Sequence, residues 1–302
     1  MKKGILIILS LVSFPFIFAQ NNDTQIPPPL TAPWEIIEVN EYPGIVPYPV
    51  VKESDVKWSM TIWREIDLRE KRNHPLYFPT EPQGVYKSLG QVILDAIDVN
   101  NPDNEDALPV YTDEFCNVKT ERANIKNALG NTKKLIIYNP ETGEPIREED
   151  KIEYFTSSEI MYYRLKEVWF FDQKRGVVDV RILEIEPFFE YEKDTGVGTG
   201  GVEDEDMQAL KTKRRLGSIK YDELRPYLAQ QLYYTPKNAA QKITFDDVLT
   251  WKRYFSSYII ASSTSPNNRQ IQDYISNPRD QRLESERILN EIRNYESELW
   301  EY

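Results

Sequence analysis

Lys166-Glu167-Val168-Trp169-Phe170-Phe171-Asp172, the tetrad Gln173-Lys174-Arg175-Gly176, and the return Val177-Val178-Asp179-Val180-Arg181-Ile182-Leu183-Glu184-Ile185-Glu186 form one continuous stretch of the chain. Two runs rich in β-branched and aromatic residues around a turn that ends in Gly predict an antiparallel hairpin. In the return run Val178, Val180 and Ile182 alternate with Asp179 and Arg181, the pattern of a sheet with one face buried. Pro187 is expected to close this strand. A second hairpin is predicted from residues 134–138, the turn Asn139-Pro140-Glu141-Thr142-Gly143, and residues 144–147.

Helical patterns surround these hairpins. Residues 54–73 predict a helix with Ser54 as N-cap, Val56, Met60, Trp63 and Ile66 on one face, and Pro75 at its end. Val56, Trp58, Met60 and Ile62 also alternate, so the first half reads equally as a strand. Residues 88–99 predict a helix with Leu89, Ile93, Ala96 and Ile97 on one face. The last hundred or so residues read as helical throughout. Thr244 with Asp247 resembles a capping box ahead of the stripe Val248, Trp251, Phe255, Tyr258 and Ile259. Asn277 and Pro278 start a final helix, in which Ile288, Ile292, Tyr295 and Leu299 share one face and Glu284, Arg287 and Glu291 pair on another. No internal repeat is visible, so the expected class is α+β: helices and antiparallel hairpins in one body, with a helical C-terminal part.

The N-terminal end differs in kind. Met1-Lys2-Lys3, an apolar run interrupted by Pro15, and Ala19 before Gln20 read as a cleaved secretory signal over residues 1–19. Residues 20–52 follow as an extended Pro-rich arm, containing Pro27, Pro28, Pro29, Pro33, Pro43, Pro47 and Pro49. The arm is too apolar for a free linker and must lie on its own body or on a neighbouring subunit. Trp34, Ile36, Tyr42 and Tyr48 are its candidate partner-interface residues. Residues 53–302 form the single body, interrupted at 194–207 by Gly196, Gly198, Gly200, Gly201 and the acidic run Glu203-Asp204-Glu205-Asp206, which reads as a mobile exposed loop.

Composition narrows function. With 37 Lys and Arg against 49 Asp and Glu the chain carries a formal charge of -12, and loss of Lys2 and Lys3 with the signal brings it to -14. That excess argues against nucleic acid, which needs a basic surface. No second apolar run reaches spanning length, so membrane contact is expected only through partners. The single Cys116 excludes a disulfide framework within the chain and reads as a small buried hydrophobe. Glu65, Asp67, Glu70 and His74 are the residue types of a metal or acid-base site, and they carry the alternative of a secreted carboxylate-dependent hydrolase. Arg64, Lys71 and Arg72 among them favour a charge-laced solvent face instead. The glycines from Gly196 lack a following Lys-Ser or Lys-Thr and precede acids, so they are no phosphate loop. Lys211, Lys213, Arg214 and Arg215 read as surface charge balance, and the 6 Trp and 19 Tyr leave a glycan-binding module as a further alternative.

Longer strings carry a resemblance. Trp63-Arg64-Glu65-Ile66-Asp67-Leu68-Arg69-Glu70-Lys71-Arg72-Asn73-His74-Pro75-Leu76-Tyr77, the run from Lys166 to Asp172, and Val178-Asp179-Val180-Arg181-Ile182 are similar to the gliding motility protein GldN, called PorN in non-gliding relatives. So are Phe245-Asp246-Asp247-Val248, the run from Lys252 to Ile259, Glu284-Ser285-Glu286-Arg287-Ile288, and the ending Glu298-Leu299-Trp300-Glu301-Tyr302. The resemblance covers residues 47–302 and departs from the family around Gly217-Ser218-Ile219-Lys220, where a more aromatic stretch is usual. It implies a non-enzymatic periplasmic component of the type IX secretion machinery of Bacteroidetes, without cofactor, catalytic residues or metal. Such a protein would form a ring with a GldK/PorK-like outer-membrane lipoprotein and contact a GldM/PorM-like periplasmic motor protein.

Overall fold

The structure is a computed structural model that describes residues 45–98, 101, 104, 107–138, 145–192, 211–235, 242–265 and 269–300. Those residues belong to one compact unit, Glu41–Tyr302. Its frame is a six-stranded sheet in the order β6-β5-β4-β1-β8, with the short β7 also pairing β5. These are β1 (Val56–Asp67), β4 (Ile160–Asp172), β5 (Val177–Glu192), β6 (Lys211–Arg215), β7 (Ile219–Lys220) and β8 (Tyr258–Ser262), and every pairing is antiparallel. A separate two-stranded ribbon joins β2 (Gly130–Tyr138) to β3 (Pro145–Tyr154). Both predicted hairpins are therefore present and longer than the sequence indicated. Helices α1 (His74–Tyr77), α2 (Leu89–Ile97), α3 (Arg122–Leu129), α4 (Tyr221–Gln230), α5 (Ile271–Tyr274) and α6 (Pro278–Trp300) complete the α+β body.

Residues 54–73 are not a helix. Val56–Asp67 is a strand, paired to β4 along its length and to β8 at Ile62 to Glu65. Met60, Trp63 and Ile66 suit helical spacing, but Met60, Ile62 and Ile66 also alternate, and only a strand buries all three against partners on both sides. Ser54 sits in a short 3-10 turn, and Pro75 begins α1 instead of ending a helix. Asn73, fully buried, holds that corner. Its amide donates to Asp67 O at 2.7 Å and Ser256 O at 2.8 Å, and its Oδ1 accepts from Ser256 N at 2.7 Å.

Pro187 lies inside β5, which runs on to Glu192. Its carbonyl accepts from Leu216 N, on the outer edge where pairing passes from β7 at 184–185 to β6 at 188–192. The missing N–H falls in that gap, where no ladder bond needs it. The C-terminal part is likewise not helical throughout. Thr244 and Asp247 do form the capping box, with Thr244 N donating to Oδ2 at 3.1 Å and Asp247 N to Oγ1 at 3.2 Å. The turn it starts is short and π-helical (Asp247–Lys252), ends at Arg253 in the left-handed region (φ 46°), and is followed by β8. Tyr258 and Ile259 therefore face opposite sides of a strand rather than one face of a helix. The cap expected at Asn277 holds, its Oδ1 accepting from Arg279 N at the start of α6, and Ser88 caps α2 by accepting from Gln91 N. Arg287 pairs with Glu284 and Glu291 on the exposed side of α6, and Tyr295 stacks on Trp58 with ring centroids 5.7 Å apart.

Two apolar clusters lie against the sheet. The larger joins Ile66, Leu165 and Ile185 to α2, α4 and the π turn through Ile93, Leu224 and Val248. The smaller joins Met60, Ile62 and Ile259 to Ile271, Ile288 and Ile292. Between them on β4 sits Glu167, with no exposed surface. It accepts from Arg253 at 2.5 Å and Trp169 Nε1 at 2.8 Å, with Arg64 3.8 Å away. A buried carboxylate is tolerated only with such partners, and removing it strands two largely buried guanidinium groups.

Two stability outcomes follow from this packing. Glu167→Ala should cost about 3–5 kcal/mol in urea unfolding, more than Arg287→Ala on the exposed face of α6, which should cost under about 1 kcal/mol. Asn73→Ala should cost about 3 kcal/mol, because it leaves buried backbone groups of Asp67 and Ser256 without partners. Equal midpoints for the Asn73 variant and the parent chain would show that this corner does not brace the fold.

Candidate functional site

Strand register builds a charged face on the sheet. Glu65 of β1 lies opposite Arg164 of β4, Arg164 opposite Glu186 of β5, and Tyr258 of β8 opposite Glu65. Glu65 accepts from Lys213 Nζ at 2.9 Å and from the Tyr258 hydroxyl. Glu186 is met by Arg215 at 2.9 Å and by Ser218 Oγ at 2.7 Å. Asp67, on the same face of β1, takes a forked bond from Arg69, with Nε at 3.0 Å from Oδ1 and Nη2 at 2.8 Å from Oδ2. Burial alone would raise the Asp67 carboxyl, but the Arg69 bonds outweigh it and hold it below the usual carboxylate range.

These contacts bear on the hydrolase alternative. Glu65 and Asp67 share a face, yet each is committed to a cation or hydroxyl, and acid-base work needs a carboxyl whose proton affinity is raised and free. Glu70 lies in the turn after β1, and His74 packs edge-on against Phe78 at 5.8 Å. Among the described residues no three His, Cys, Asp or Glu side chains converge on a possible metal position. The Gly-rich acidic stretch at 194–207 lies outside the described residues.

The stretch from Leu216 to Lys220 has a structural role. Gly217 has φ 143°, and a Cβ there would meet Val110 Cγ1 at 2.5 Å and Tyr111 O at 2.9 Å. Only Gly admits the crossing. Ser218 then exchanges backbone bonds with Tyr111 at 2.8 Å each way and caps Glu186. Nearby, Lys166 Nζ reaches Glu184 and Glu114 O, both at 2.6 Å, beneath the Phe115 ring at 4.6 Å.

Residues 46–49 are seated on the body that follows them. Tyr48 lies between two guanidinium groups, Arg225 at 4.4 Å and Arg181 at 5.2 Å from its ring centroid, and against Trp251 at 5.8 Å. The same arginines hold the backbone: Arg225 Nη2 donates to Val46 O and Arg181 Nη2 to Pro49 O, each at 2.7 Å. Arg225 is itself fixed by Asp246 through bonds of 2.9 and 3.0 Å. Of the arm residues singled out from the sequence, Tyr48 is thus seated on its own chain, and Trp34, Ile36 and Tyr42 lie outside the described residues. Arg181 and Arg225 were not expected here. The signal available was the Arg225-Pro226 pair, an unusual sequence inside a helix.

Cys116 is buried, and burial together with the Glu184 charge pushes its thiol up to about 12. It is a protonated thiol at neutral pH, unsuited to nucleophilic work. Native protein at pH 7.5 should resist iodoacetamide and alkylate fully once unfolded in urea; rapid native alkylation, followed by mass spectrometry, would contradict this assignment. Comparison with curated proteins gives no match. The family model of the gliding motility associated protein GldN matches residues 51–301, which spans the sheet, both apolar clusters and the charged face. The chain belongs to the GldN family, and so to the components of gliding motility and type IX secretion.

Proposed function

We propose that this chain is a non-enzymatic periplasmic subunit of the type IX machinery. It assembles with a GldK/PorK-like outer-membrane lipoprotein into a ring and couples that ring to a GldM/PorM-like motor component. The observation that supports this reading most is the family match over nearly the whole body. The carboxylates of the sheet are committed to structural ion pairs, which suits a scaffold. Among the described residues no helix is long and apolar enough to cross a membrane, so attachment to the outer membrane is assigned to the lipoprotein partner.

In this reading the arm has two parts. Residues 45–51 are the anchored root, and the apolar residues before them, Trp34, Ile36 and Tyr42, are the portion offered to a partner. A bond network at the root costs little to hold in a Pro-rich segment, because its backbone has few alternative conformations to lose.

The decisive experiment is a pull-down from the native envelope with mass spectrometry, followed by reconstitution with the lipoprotein and motor fragments it recovers. Removing residues 27–44, which leaves the Tyr48 seat intact, should weaken complex or ring formation by tenfold or more while leaving the melting temperature within about 2 °C of the parent. Tyr48→Ala should instead lower the melting temperature by several degrees, through loss of a buried aromatic contact. Assembly unchanged after the 27–44 deletion, seen by sedimentation and electron microscopy, would remove the arm from the interface. Recovery of no secretion component from the envelope would overturn the reading as a whole.

A further inference from the structure

We propose that the cleft between the charged face of the sheet and the flank of α6 binds an extended peptide segment of a partner protein that presents a single carboxylate to Arg164. The cleft has a volume of about 700 Å³, with Glu65, Arg164, Phe188 and Lys213 on one side, Tyr258 and Ile260 along β8, and Gln281, Ser285 and Leu289 on the helix. That volume lies within the range of small-ligand pockets and accommodates a few residues of extended chain.

Hydrogen bonding at its floor is uneven. Glu65 and Glu186 are each satisfied at close range, the first by Lys213 and Tyr258, the second by Arg215 and Ser218. Arg164 approaches both carboxylates only at 4.0 and 3.9 Å, beyond hydrogen-bond distance. No described residue accepts a hydrogen bond from its guanidinium, and its Nε is buried without a partner. Arg164 therefore carries donors that no described carboxylate takes, in a chain whose formal charge is -12. Buried donors are rarely left unpaired, and a guanidinium laid over an aromatic ring, here Phe188 at 4.8 Å, keeps its in-plane edge available for a carboxylate.

The rest of the lining sets the ligand class. Phe188, Ile260 and Leu289 supply apolar surface on either side of the guanidinium. Glu70 and Glu286 also line the cleft, beside Arg282, and disfavour a run of acids. A single Asp or Glu flanked by apolar side chains meets all of these conditions. A polyacidic or polyanionic ligand does not. The inference rests on the cleft alone and stands apart from the family reading.

A random short-peptide library displayed on phage, selected against the purified chain, tests it. Recovered peptides should carry one Asp or Glu beside apolar residues. Changing that acid to its amide in the synthetic peptide, or Arg164→Gln in the protein, should each weaken binding by about tenfold or more in calorimetry. Arg164→Lys, which keeps charge but loses the fork, should fall between. Leu289→Asp changes the wall with Arg164 in place and should also abolish binding, which keeps the test open if the Arg164 variants fold poorly by circular dichroism. Selection of no peptide, selection without acid enrichment, or equal affinity of the peptides for parent and folded Arg164→Gln protein would overturn the proposal.

Discussion

The architecture depends on one irregularity of register, the bulge between β4 and β5. Lys166 pairs with Glu184 and Glu167 with Ile182, so Leu183 is an extra residue on β5. Without it the side chains of β5 would alternate in a single phase from Val178 onward, and Ile182 and Glu184 would share a face. With it, Ile182 and Ile185, three apart in sequence, both enter the larger core, while Glu184 and Glu186 turn to meet Lys166 and Arg164. Leu183 itself is left 42% exposed, as the unpaired member of a bulge is free to be. The charged face, the unused donors of Arg164 and the burial of Ile185 are consequences of the same shift.

That bulge explains what could and could not be read from the chain alone. The hairpin around Gln173-Lys174-Arg175-Gly176 was legible because its turn and alternation are local. The alternation of Val178, Val180 and Ile182 was also legible, but extending it past Leu183 would have put Glu184 in the core. β1 was legible only as an ambiguity. Met60 and Ile66 fit both periods, and the choice was made by β4 and β8, more than ninety residues distant in the chain. Pro187 misled for the opposite reason: proline is excluded from a strand only where its N–H is needed, and the gap between β6 and β7 needs none.

The candidate sites divide in the same way. Glu65 and Asp67 were visible as carboxylates of interest, but their commitment to Lys213, Tyr258 and Arg69 depends on β6, β8 and a turn. Arg164 drew no notice in the sequence, since a lone arginine in a strand has no local signature. Its character comes from two glutamates in register that have nearer partners. Two charged side chains of β4 have different outcomes: Glu167 is fully met and joins the two apolar clusters, whereas Arg164 is met only at a distance. The first arrangement makes the fold specific, and the second leaves a valence for a ligand.

The root of the arm shows how a Pro-rich segment can be held without a sheet. Proline supplies no N–H, so a ladder is ruled out, but every residue, proline included, keeps a carbonyl that points outward in an extended backbone. Arg225 and Arg181 take two of these, at Val46 and Pro49, and clasp the one aromatic ring that lies between them. Recognition is therefore mostly of main chain, with Tyr48 as its only large side-chain element. Asp246 and Thr250 brace the clasp from behind, since Asp246 fixes Arg225 and accepts from Thr250 Oγ1 at 2.7 Å. Arg225 of α4 and the Phe245-Asp246-Asp247-Val248 string thus meet at this one point. Their shared task is to seat residues 46–49 on the body.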